Sequence, residues 1–346
     1  MSVVQVGIIG LGYFSQFHVA AWRTLGAAKI QAVLDVDGEK ARSVATELSC
    51  TAYSDLEQML EHEHLDIIDI IAPPNSHKHL VEKSLKKNRL IICQKPFCNS
   101  MDEAQHLVKQ AKNSGTALVI HENFRFQPWF RTIKNLLDNN FLGHVYQAKF
   151  NLRPGDGRGE KAYLSRQPSF QKMQRFLLHE TGVHYIDVFR WLFGEVESIY
   201  ADTRQLNPVI AGEDAGLLIL DHTSGTQSIL DANRLSDHPS DNLRRTMGTL
   251  HIDAENGTLE LDGHGRLFYR SFGSEQNNQI ELDAPIDENS FGGGCVTTLT
   301  KHALDAYSTE GDYENSAEEY LKVMQLVAAA YDSAERGTKL SMDTHR

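Results

Sequence analysis

The chain has 346 residues, 41% of them hydrophobic and 23% charged, which is enough apolar material for about two folded domains. Its 34 basic and 46 acidic residues give a net charge of −12, which disfavours binding to nucleic acid or to anionic membrane surfaces. The four cysteines form no C-x-x-C pair, the N-terminus lacks a signal-type apolar core, and no uncharged apolar run approaches the roughly 20 residues of a membrane span. We therefore expect a cytoplasmic protein that binds neither nucleic acid nor membranes.

Residues 3 to 121 alternate short apolar runs with longer segments of helical periodicity. This alternation is typical of parallel β/α units, and continuous apolar runs such as IIDIIA suit a sheet covered on both faces. An N-terminal α/β domain with a doubly wound parallel sheet is therefore predicted for residues 1–125. Its predicted strands are 3–9, 30–34, 67–71, 90–93 and 117–121, and its predicted helices are 14–25, 38–48, 56–62, 77–87 and 101–113.

After residue 125 the pattern changes, and residues 126–346 are predicted to form an α+β domain. From about 195 to 282, short segments alternate apolar and polar residues between turns such as Glu255-Asn256-Gly257, which indicates a largely antiparallel, open sheet. A final helix is predicted at about 316–336, ending before Gly337. The uncovered face of such a sheet would expose apolar side chains, so we expect a homodimer or homotetramer formed through it.

The run GLGYFS begins at Gly10, directly after a predicted strand, and opens a predicted helix, which is the context of a dinucleotide-binding loop. Gly10 allows the tight turn, and Gly12 lets a pyrophosphate approach the backbone at the positive end of the helix. Ser15 stands where the third glycine of this fingerprint is usual, so the loop alone is equally compatible with an ordinary Gly-rich turn. With the adjacent Tyr13 and Phe14, the two glycines are predicted to bind the cofactor.

Asp35 favours NAD as that cofactor. It ends the second predicted strand, 25 residues after Gly10, where a carboxylate accepts the ribose hydroxyl protons and repels the extra phosphate of NADP. The next residues, Val36 and Asp37, supply no arginine that would compensate. Asp37 is an alternative for the same role, and either aspartate can instead cap the helix that follows.

Three further motifs, read with the glycine loop, resemble those of the Gfo/Idh/MocA oxidoreductase family. APPNSH at 72–77 is similar to the family's loop of paired prolines, Asn and His around the nicotinamide. QKP at 94–96 is similar to its Glu-Lys-Pro, and ETGVH at 180–184 to its acid-x-x-x-His helix, with Asp187 beyond. The resemblance spans nearly the whole chain. It implies a Rossmann domain that binds NAD and an enzyme that oxidises a hydroxyl of a sugar, polyol or related small polyhydroxylated substrate.

The resemblance also implies roles for individual residues. Lys95 and His184 take closely linked roles in proton transfer, and the Lys95–Pro96 bond is expected to be cis. The residues expected around the cofactor are Ala72, Pro73, Asn75, His77, Gln94, Lys95 and Arg125.

The chemistry supports Lys95, His184 and Glu180 as the catalytic residues. Oxidation of a hydroxyl needs a base for its proton, for which His184 is the candidate, while Lys95 polarises the oxygen or relays the proton. Glu180 lies four residues before His184, so on a helix the two side chains share a face. The carboxylate can then orient the imidazole or hold a substrate hydroxyl.

A purely structural role is an alternative for several of these residues. His184 can be a satisfied structural histidine, and His77 is expected to hold its loop rather than to do chemistry. Asn75 is a turn former by default. Arg125, in HENFRF, either contacts the cofactor or braces the junction between the domains.

Gln94 departs from the family pattern, because it keeps the shape of the usual glutamate but lacks its negative charge beside Lys95. On this basis Gln94→Glu is predicted to move the basic limb of the pH–rate profile upward. Glu180 likewise replaces a commoner aspartate, which indicates a subfamily with its own substrate geometry.

The sequence predicts no catalytic metal. A zinc site of the H-E-x-x-H type needs two histidines four residues apart, whereas His179 and His184 are five apart and diverge by roughly 140° on a helix. His77 and His79, two residues apart, also cannot share a helical face.

Residues 153–157 and 163–168, which include Asp156 and Arg166, together with the segment 176–184 resemble a branch of the family that contains D-apiose dehydrogenases. These two side chains can bind substrate hydroxyls, although solvated loop charges are commoner. Two other functions compete with the dehydrogenase: a sensor that binds NAD without catalysis, and a glycosidase that recycles NAD. Lys95 and His184 argue against the sensor, which needs no proton-transfer pair.

Overall fold

The computed structural model describes residues 3–342, which cluster into two compact units. Of the described residues, the first unit comprises 3–123 and 296–322, and the second comprises 124–295 and 323–342. The terminal residues 1–2 and 343–346 of the two predicted domains lie outside the described residues. This clustering differs from the predicted division in two respects, because the first unit ends at Asn123 and residues 296–322 cluster with it.

The first unit is a doubly wound α/β fold on a six-stranded parallel sheet, as predicted. The strand order is β3-β2-β1-β4-β5-β6. The strands are β1 (Val4–Ile9), β2 (Ala28–Leu34), β3 (Thr51–Tyr53), β4 (Ile67–Ile70), β5 (Leu90–Gln94) and β6 (Ala117–His121). The helices between them are α1 (Ser15–Thr24), α2 (Gly38–Leu48), α3 (Leu56–His62), α4 (Pro74–Ser84) and α5 (Met101–Ser114). Strand β3 was not predicted, because its three partly exposed residues carry no apolar run.

Strands β1, β4 and β5 are buried along most of their length, since helices cover both faces of the sheet. The core includes Ala303 and Leu304 of helix α8 (Cys295–Thr309), so a segment from late in the chain completes it. Ser316 also pairs with Val119 of β6. These contacts explain why residues 296–322 belong to the first unit.

The second unit is built on a nine-stranded sheet of order β14-β13-β12-β11-β7-β10-β9-β8-β15, in which only the β7–β10 pair is parallel among the described strands. This confirms the predicted largely antiparallel sheet. Its strands are β7 (Val145–Leu152), β8 (Val196–Arg204), β9 (Ala215–His222), β10 (Gln227–Asn233), β11 (Gly248–Ala254), β12 (Gly257–Leu261), β13 (Leu267–Ser271), β14 (Asn278–Ile280) and β15 (Leu340–Ser341). The helices of this region are α6 (Pro128–Asp138), α7 (Val183–Phe193) and the later part of α9 (Ala317–Arg336).

The two faces of this sheet differ. Alternate residues of β7, β9, β10 and β11 are buried, and those between them are only partly buried. On the partly buried face, Ile219 of β9 lies between Ile229 of β10 and Tyr200 of β8, with Leu217 close by. This face therefore presents a contiguous apolar patch, which we call the sheet patch. Within residues 3–342, no helix is long and apolar enough to cross a membrane.

Candidate functional site

The glycine loop between β1 and α1 has two glycines that are needed for different reasons. Gly10 has a φ of +91°, and a Cβ there would lie 2.7 Å from the backbone nitrogen of Ala72. A Cβ on Gly12 would meet no atom within 4 Å. The hydroxyl of Ser15 donates to the Gly12 carbonyl at 2.7 Å, so the residue in place of the third glycine ties the loop to the helix start.

We expect Gly12→Ala to weaken NAD binding by tenfold or more, about 1.4 kcal/mol, without lowering the free energy of unfolding appreciably. The added methyl meets no protein atom, but it occupies the approach that a pyrophosphate needs. Fluorescence titration with NAD measures the first quantity and urea denaturation the second. Gly26→Ala is the matched control, because a Cβ at Gly26 also meets nothing within 4 Å. Equal NAD affinity in the two variants would contradict the placement of the pyrophosphate at Gly12.

Asp35 follows the end of β2 and faces the glycine loop. Its carboxylate accepts hydrogen bonds from the N–H of Leu11 at 2.8 Å and of Asp37 at 3.0 Å, and the Lys40 ammonium lies 3.5 Å away. Burial alone would raise the pKa of Asp35, but these N–H groups and Lys40 hold it below its ordinary value. Asp37 instead caps α2 by accepting from the N–H groups of Glu39 and Lys40, which is the helix-capping role given above as its alternative.

The motif at 72–77 forms the start of α4. Pro73 is its N-cap residue and Asn75 is exposed in its first turn. His77 is fully buried, with its ring nitrogens 2.7 Å from the Ala72 carbonyl and 3.0 Å from the Phe97 carbonyl. Burial holds the pKa of His77 below its ordinary value, although these carbonyls act against it. His77 therefore fastens this loop to the loop that follows β5.

The second motif ends β5 and turns away from the sheet at a cis Lys95–Pro96 bond. Lys95 is half-buried, and its backbone N–H donates to Oε1 of Gln94 at 2.9 Å. Tyr13 is 40% exposed and packs edge-on against Phe17. The side chain of Phe14 contacts the rings of His18 and His121.

These residues of the first unit fit NAD. A dinucleotide needs space for its pyrophosphate, N–H donors beside that group and an acceptor for its ribose hydroxyls. The first unit offers these at Gly12, at the N-terminal end of α1 and at the Asp35 carboxylate. Lys95 lies directly after β5, at the carboxyl edge of the sheet where open α/β folds bind ligands.

In the second unit, the third motif is not a regular α-helix. Residues Leu177–Gly182 form a π-helical turn that continues into α7. A π turn contains more residues than an α turn, so residues four apart, such as Glu180 and His184, lie closer to one line along the helix. The carboxylate of buried Glu213 accepts from the N–H groups of Phe176 and Leu178 and from the Tyr331 hydroxyl, which holds the start of this turn.

His184 is buried, and its ring stacks on Phe124 with centroids 3.9 Å apart and an interplanar angle of 5°. One turn further along, the guanidinium of Arg125 makes a two-point contact with the carboxylate of Asp187. Within the second unit, Arg125 therefore holds α7 against the short turn Phe124–Phe126.

A buried ion pair lies beside Glu180. Arg234 donates from Nε and Nη2 to the two oxygens of Asp156, at 3.1 and 2.8 Å, and from Nη1 to the Thr181 hydroxyl at 2.6 Å. Thr181 in turn donates to Oε2 of Glu180 at 2.8 Å. Arg166 also reaches Asp156, at 3.3 Å. Arg234 thus connects the 153–160 loop to the carboxylate of the third motif.

The electrostatics of this pair favour the charged forms. Burial alone would raise the pKa of Asp156, but Arg234 and Arg166 hold it below its ordinary value. Burial alone would lower the pKa of Arg234, and Asp156 holds it above its ordinary range. The guanidinium also lies 4.7 Å from the ring centroid of Phe176 and 5.1 Å from that of Tyr163. Asp156 is therefore an ion-paired residue rather than a solvated loop charge.

Three residues of this site carry no signal of their own in the sequence: Arg234, Thr181 and Glu213. Asp156 and Arg234 are 78 residues apart and meet because β7 and β10 pair in parallel, so that the segments after both strands leave the same sheet edge. No local pattern signals that pairing.

The comparisons with known proteins identify the family. Residues 4–122 match the GFO_IDH_MocA oxidoreductase family with its NAD-binding Rossmann fold, and residues 130–260 match the GFO/IDH/MocA C-terminal domain. The chain therefore belongs to the Gfo/Idh/MocA oxidoreductase family, which confirms the motif resemblance and the NAD-binding class.

Two D-apiose dehydrogenases are among the similar proteins. The one from Paraburkholderia graminis is 30% identical over 342 residues, covering 97% of this chain and 88% of its own length. The one from Rhizobium rhizogenes is 29% identical over 345 residues, covering 97% of each. An Agrobacterium radiobacter oxidoreductase, solved in complex with NAD+, L-tartaric acid and magnesium, matches with a TM-score of 0.89, 27% identity and 98% coverage of each chain.

Proposed function

We propose that this protein oxidises a hydroxyl of a small sugar or polyol and transfers the hydride to NAD in preference to NADP. The observation that carries the proposal is Lys95, placed directly after β5 of a domain whose family binds NAD. Bound NAD supplies the hydride acceptor. The protein's own residues must then bind the polyol, orient it and take its hydroxyl proton.

We assign those tasks to three residues. Lys95 polarises the reacting hydroxyl oxygen or relays its proton, and His184 is the base. Stacking on Phe124 fixes the plane of the His184 imidazole, so little orientation has to be gained on binding. Glu180, held through Thr181 and Arg234, accepts a hydrogen bond from a substrate hydroxyl or orients His184.

The polar side chains of the second unit support this substrate class. The side chains of Glu180, Asp156 and Arg166 are each between 17 and 23% exposed, which leaves part of each one accessible to ligand hydroxyls. The similarity to D-apiose dehydrogenases favours a branched or straight aldose. We further propose a cytoplasmic enzyme, since Cys50, Cys93, Cys98 and Cys295 are free thiols.

The experiment is an assay of NADH formation by the purified protein with NAD or NADP and a panel of D-apiose, other aldoses and polyols. We expect NADH with at least one aldose and a higher kcat/KM with NAD than with NADP. A preference for NADP would contradict the Asp35 argument. NAD binding without turnover on any substrate would favour the sensor, and cleavage of a glycoside with no net NADH would favour the glycosidase.

We also propose that the sheet patch is covered by a second copy of the chain in a homodimer or homotetramer. Apolar side chains on neighbouring strands gain about 25 cal/mol per Å² when a partner removes them from water. Ile219→Asp places a carboxylate in the centre of the patch and is expected to yield a monomer by light scattering after size exclusion. Thr258→Asp, on the same sheet but away from the patch, is the control. A wild-type monomer would contradict this proposal and leave the dehydrogenase proposal intact.

A further inference from the structure

The first unit encloses a polar cluster under the carboxyl ends of β4, β5 and β6. It consists of His18, Asp69, Gln94 and His121, all at most 8% exposed. Buried polar groups cost free energy unless they are mutually hydrogen-bonded, so their arrangement is tightly constrained. The proposed function uses none of the three residues that surround Gln94.

The contacts run from α1 to the backbone of Lys95. Nδ1 of His18 lies 2.8 Å from Oδ2 of Asp69, which also accepts the indole N–H of Trp22 at 2.8 Å. Nε2 of Gln94 lies 3.0 Å from Nε2 of His18 and 3.4 Å from Nδ1 of His121. Oε1 of Gln94 accepts the Lys95 N–H.

The Lys95 N–H determines which way the Gln94 carboxamide points. A backbone N–H only donates, so it requires the carboxamide oxygen, and the NH2 group must then face the two imidazoles. An NH2 group also only donates, so Nε2 of His18 must present its lone pair. In this arrangement Nε2 of His18 accepts from Gln94, and Nδ1 is the ring nitrogen that donates to Asp69.

We propose that Gln94 is a positioning residue that keeps His18 neutral while holding the Lys95 backbone, and that glutamate at this position would draw a proton from solvent onto His18. A carboxylate still accepts the Lys95 N–H, but its second oxygen would face the His18 lone pair at about hydrogen-bond distance. Two acceptors repel at that separation. Protonation of His18 relieves the repulsion and places an imidazolium between the carboxylates of residues 94 and 69.

Protonation of His18 in Gln94→Glu changes the net charge that Lys95 experiences. The proton on His18 cancels the carboxylate that Gln94→Glu adds, so Lys95 experiences much less than one added negative charge. Asp69 and His121 are titratable groups in contact with His18, and the thiol of Cys93 interacts electrostatically with Asp69. Burial first, and then Cys98 and Asp69, hold the pKa of Cys93 well above its ordinary value, so this thiol stays protonated. The geometry thus points to an unmoved basic limb of the pH–rate profile, unlike the expectation from sequence.

The first test is NMR of the full chain labelled with ¹⁵N-histidine, with the His18 signals assigned from the His18→Gln variant. At pH 7 we expect one protonated and one unprotonated ring nitrogen for His18 in the wild type, and two protonated nitrogens in Gln94→Glu. A doubly protonated His18 in the wild type, or a neutral one in Gln94→Glu, would overturn the proposal. This test needs no activity, so it is independent of the proposed function.

The second test is kinetic and rests on the proposed role of Lys95. In Gln94→Glu the basic limb of kcat/KM should move by less than about 0.3 pH units, whereas in Gln94→Glu with His18→Gln it should move upward by about one unit. The double variant lacks the His18 imidazole and cannot take up the proton, so Lys95 then experiences the whole added negative charge. Equal limbs in these two variants, or a full shift in Gln94→Glu alone, would refute the proposal. A purely structural role of Gln94 would not separate the two variants.

Discussion

Lys95→Ala is expected to lower kcat for aldose oxidation by about two to four orders of magnitude, the usual loss when a positioned proton-transfer group is removed. Its Kd for NAD should change by less than tenfold, because the glycine loop and Asp35 are untouched. Stopped-flow measurement of NADH formation gives the first quantity, and fluorescence titration the second. The expected result is therefore a protein that binds its cofactor but turns over very slowly.

Chemical rescue separates lost chemistry from lost structure in Lys95→Ala. Added methylamine supplies a small amine in place of the missing ammonium and is expected to restore part of the rate in a pH-dependent way. Lys109→Ala, on the exposed side of α5, is the matched control and should keep the wild-type rate with and without amine. A rate for Lys95→Ala within tenfold of the wild type would remove Lys95 from the mechanism.

Arg234→Met is expected to lower the free energy of unfolding by about 3 to 5 kcal/mol, because it leaves the Asp156 carboxylate in a largely buried site without its two-point partner. It should also raise the KM for the aldose, since the hydroxyl of Thr181 loses the donor that fixes it beside Glu180. Urea denaturation and steady-state kinetics measure the two effects.

Two comparisons test the cause of the Arg234 effect. Adding Asp156→Asn to Arg234→Met removes the unpaired charge and should recover part of the lost stability, a coupling that a double-mutant cycle quantifies. Arg204→Met is the control, because its side chain is 70% exposed and should change the free energy of unfolding by less than about 0.5 kcal/mol. Additive losses for Asp156 and Arg234 would show that the pair does not act as a unit.

The fold of the first unit was predictable because its signals are local. Buried parallel strands appear as continuous apolar runs, and Gly10 is demanded by a turn whose Cβ would strike Ala72. The short strand β3 was not predictable, because three residues that are at least partly exposed leave no apolar pattern in the sequence. The placement of residues 296–322 was not predictable either, because the sequence does not reveal that Ala303 and Leu304 complete a core formed by residues between 6 and 119.

The candidate site was only partly predictable for the same reason. ETGVH is a local motif, so Glu180 and His184 could be proposed from the sequence, but the π turn that contains Glu180 is held at its start by Glu213, which lies on another segment. A usable signal did exist for the buried cluster. Asp69 interrupts the apolar run IIDII, and a charge inside a strand covered on both faces needs partners.

The return of residues 296–322 to the first unit has a consequence for how the protein is made. Ribosomes release chains from the N-terminal end at about 5 to 20 residues per second, so the last core residues of the cofactor-binding unit emerge about 10 to 40 seconds after β6. During that interval the unit lacks Ala303 and Leu304 and exposes the apolar surface that they cover. The nascent chain is therefore expected to bind chaperones until residues 296–322 have emerged.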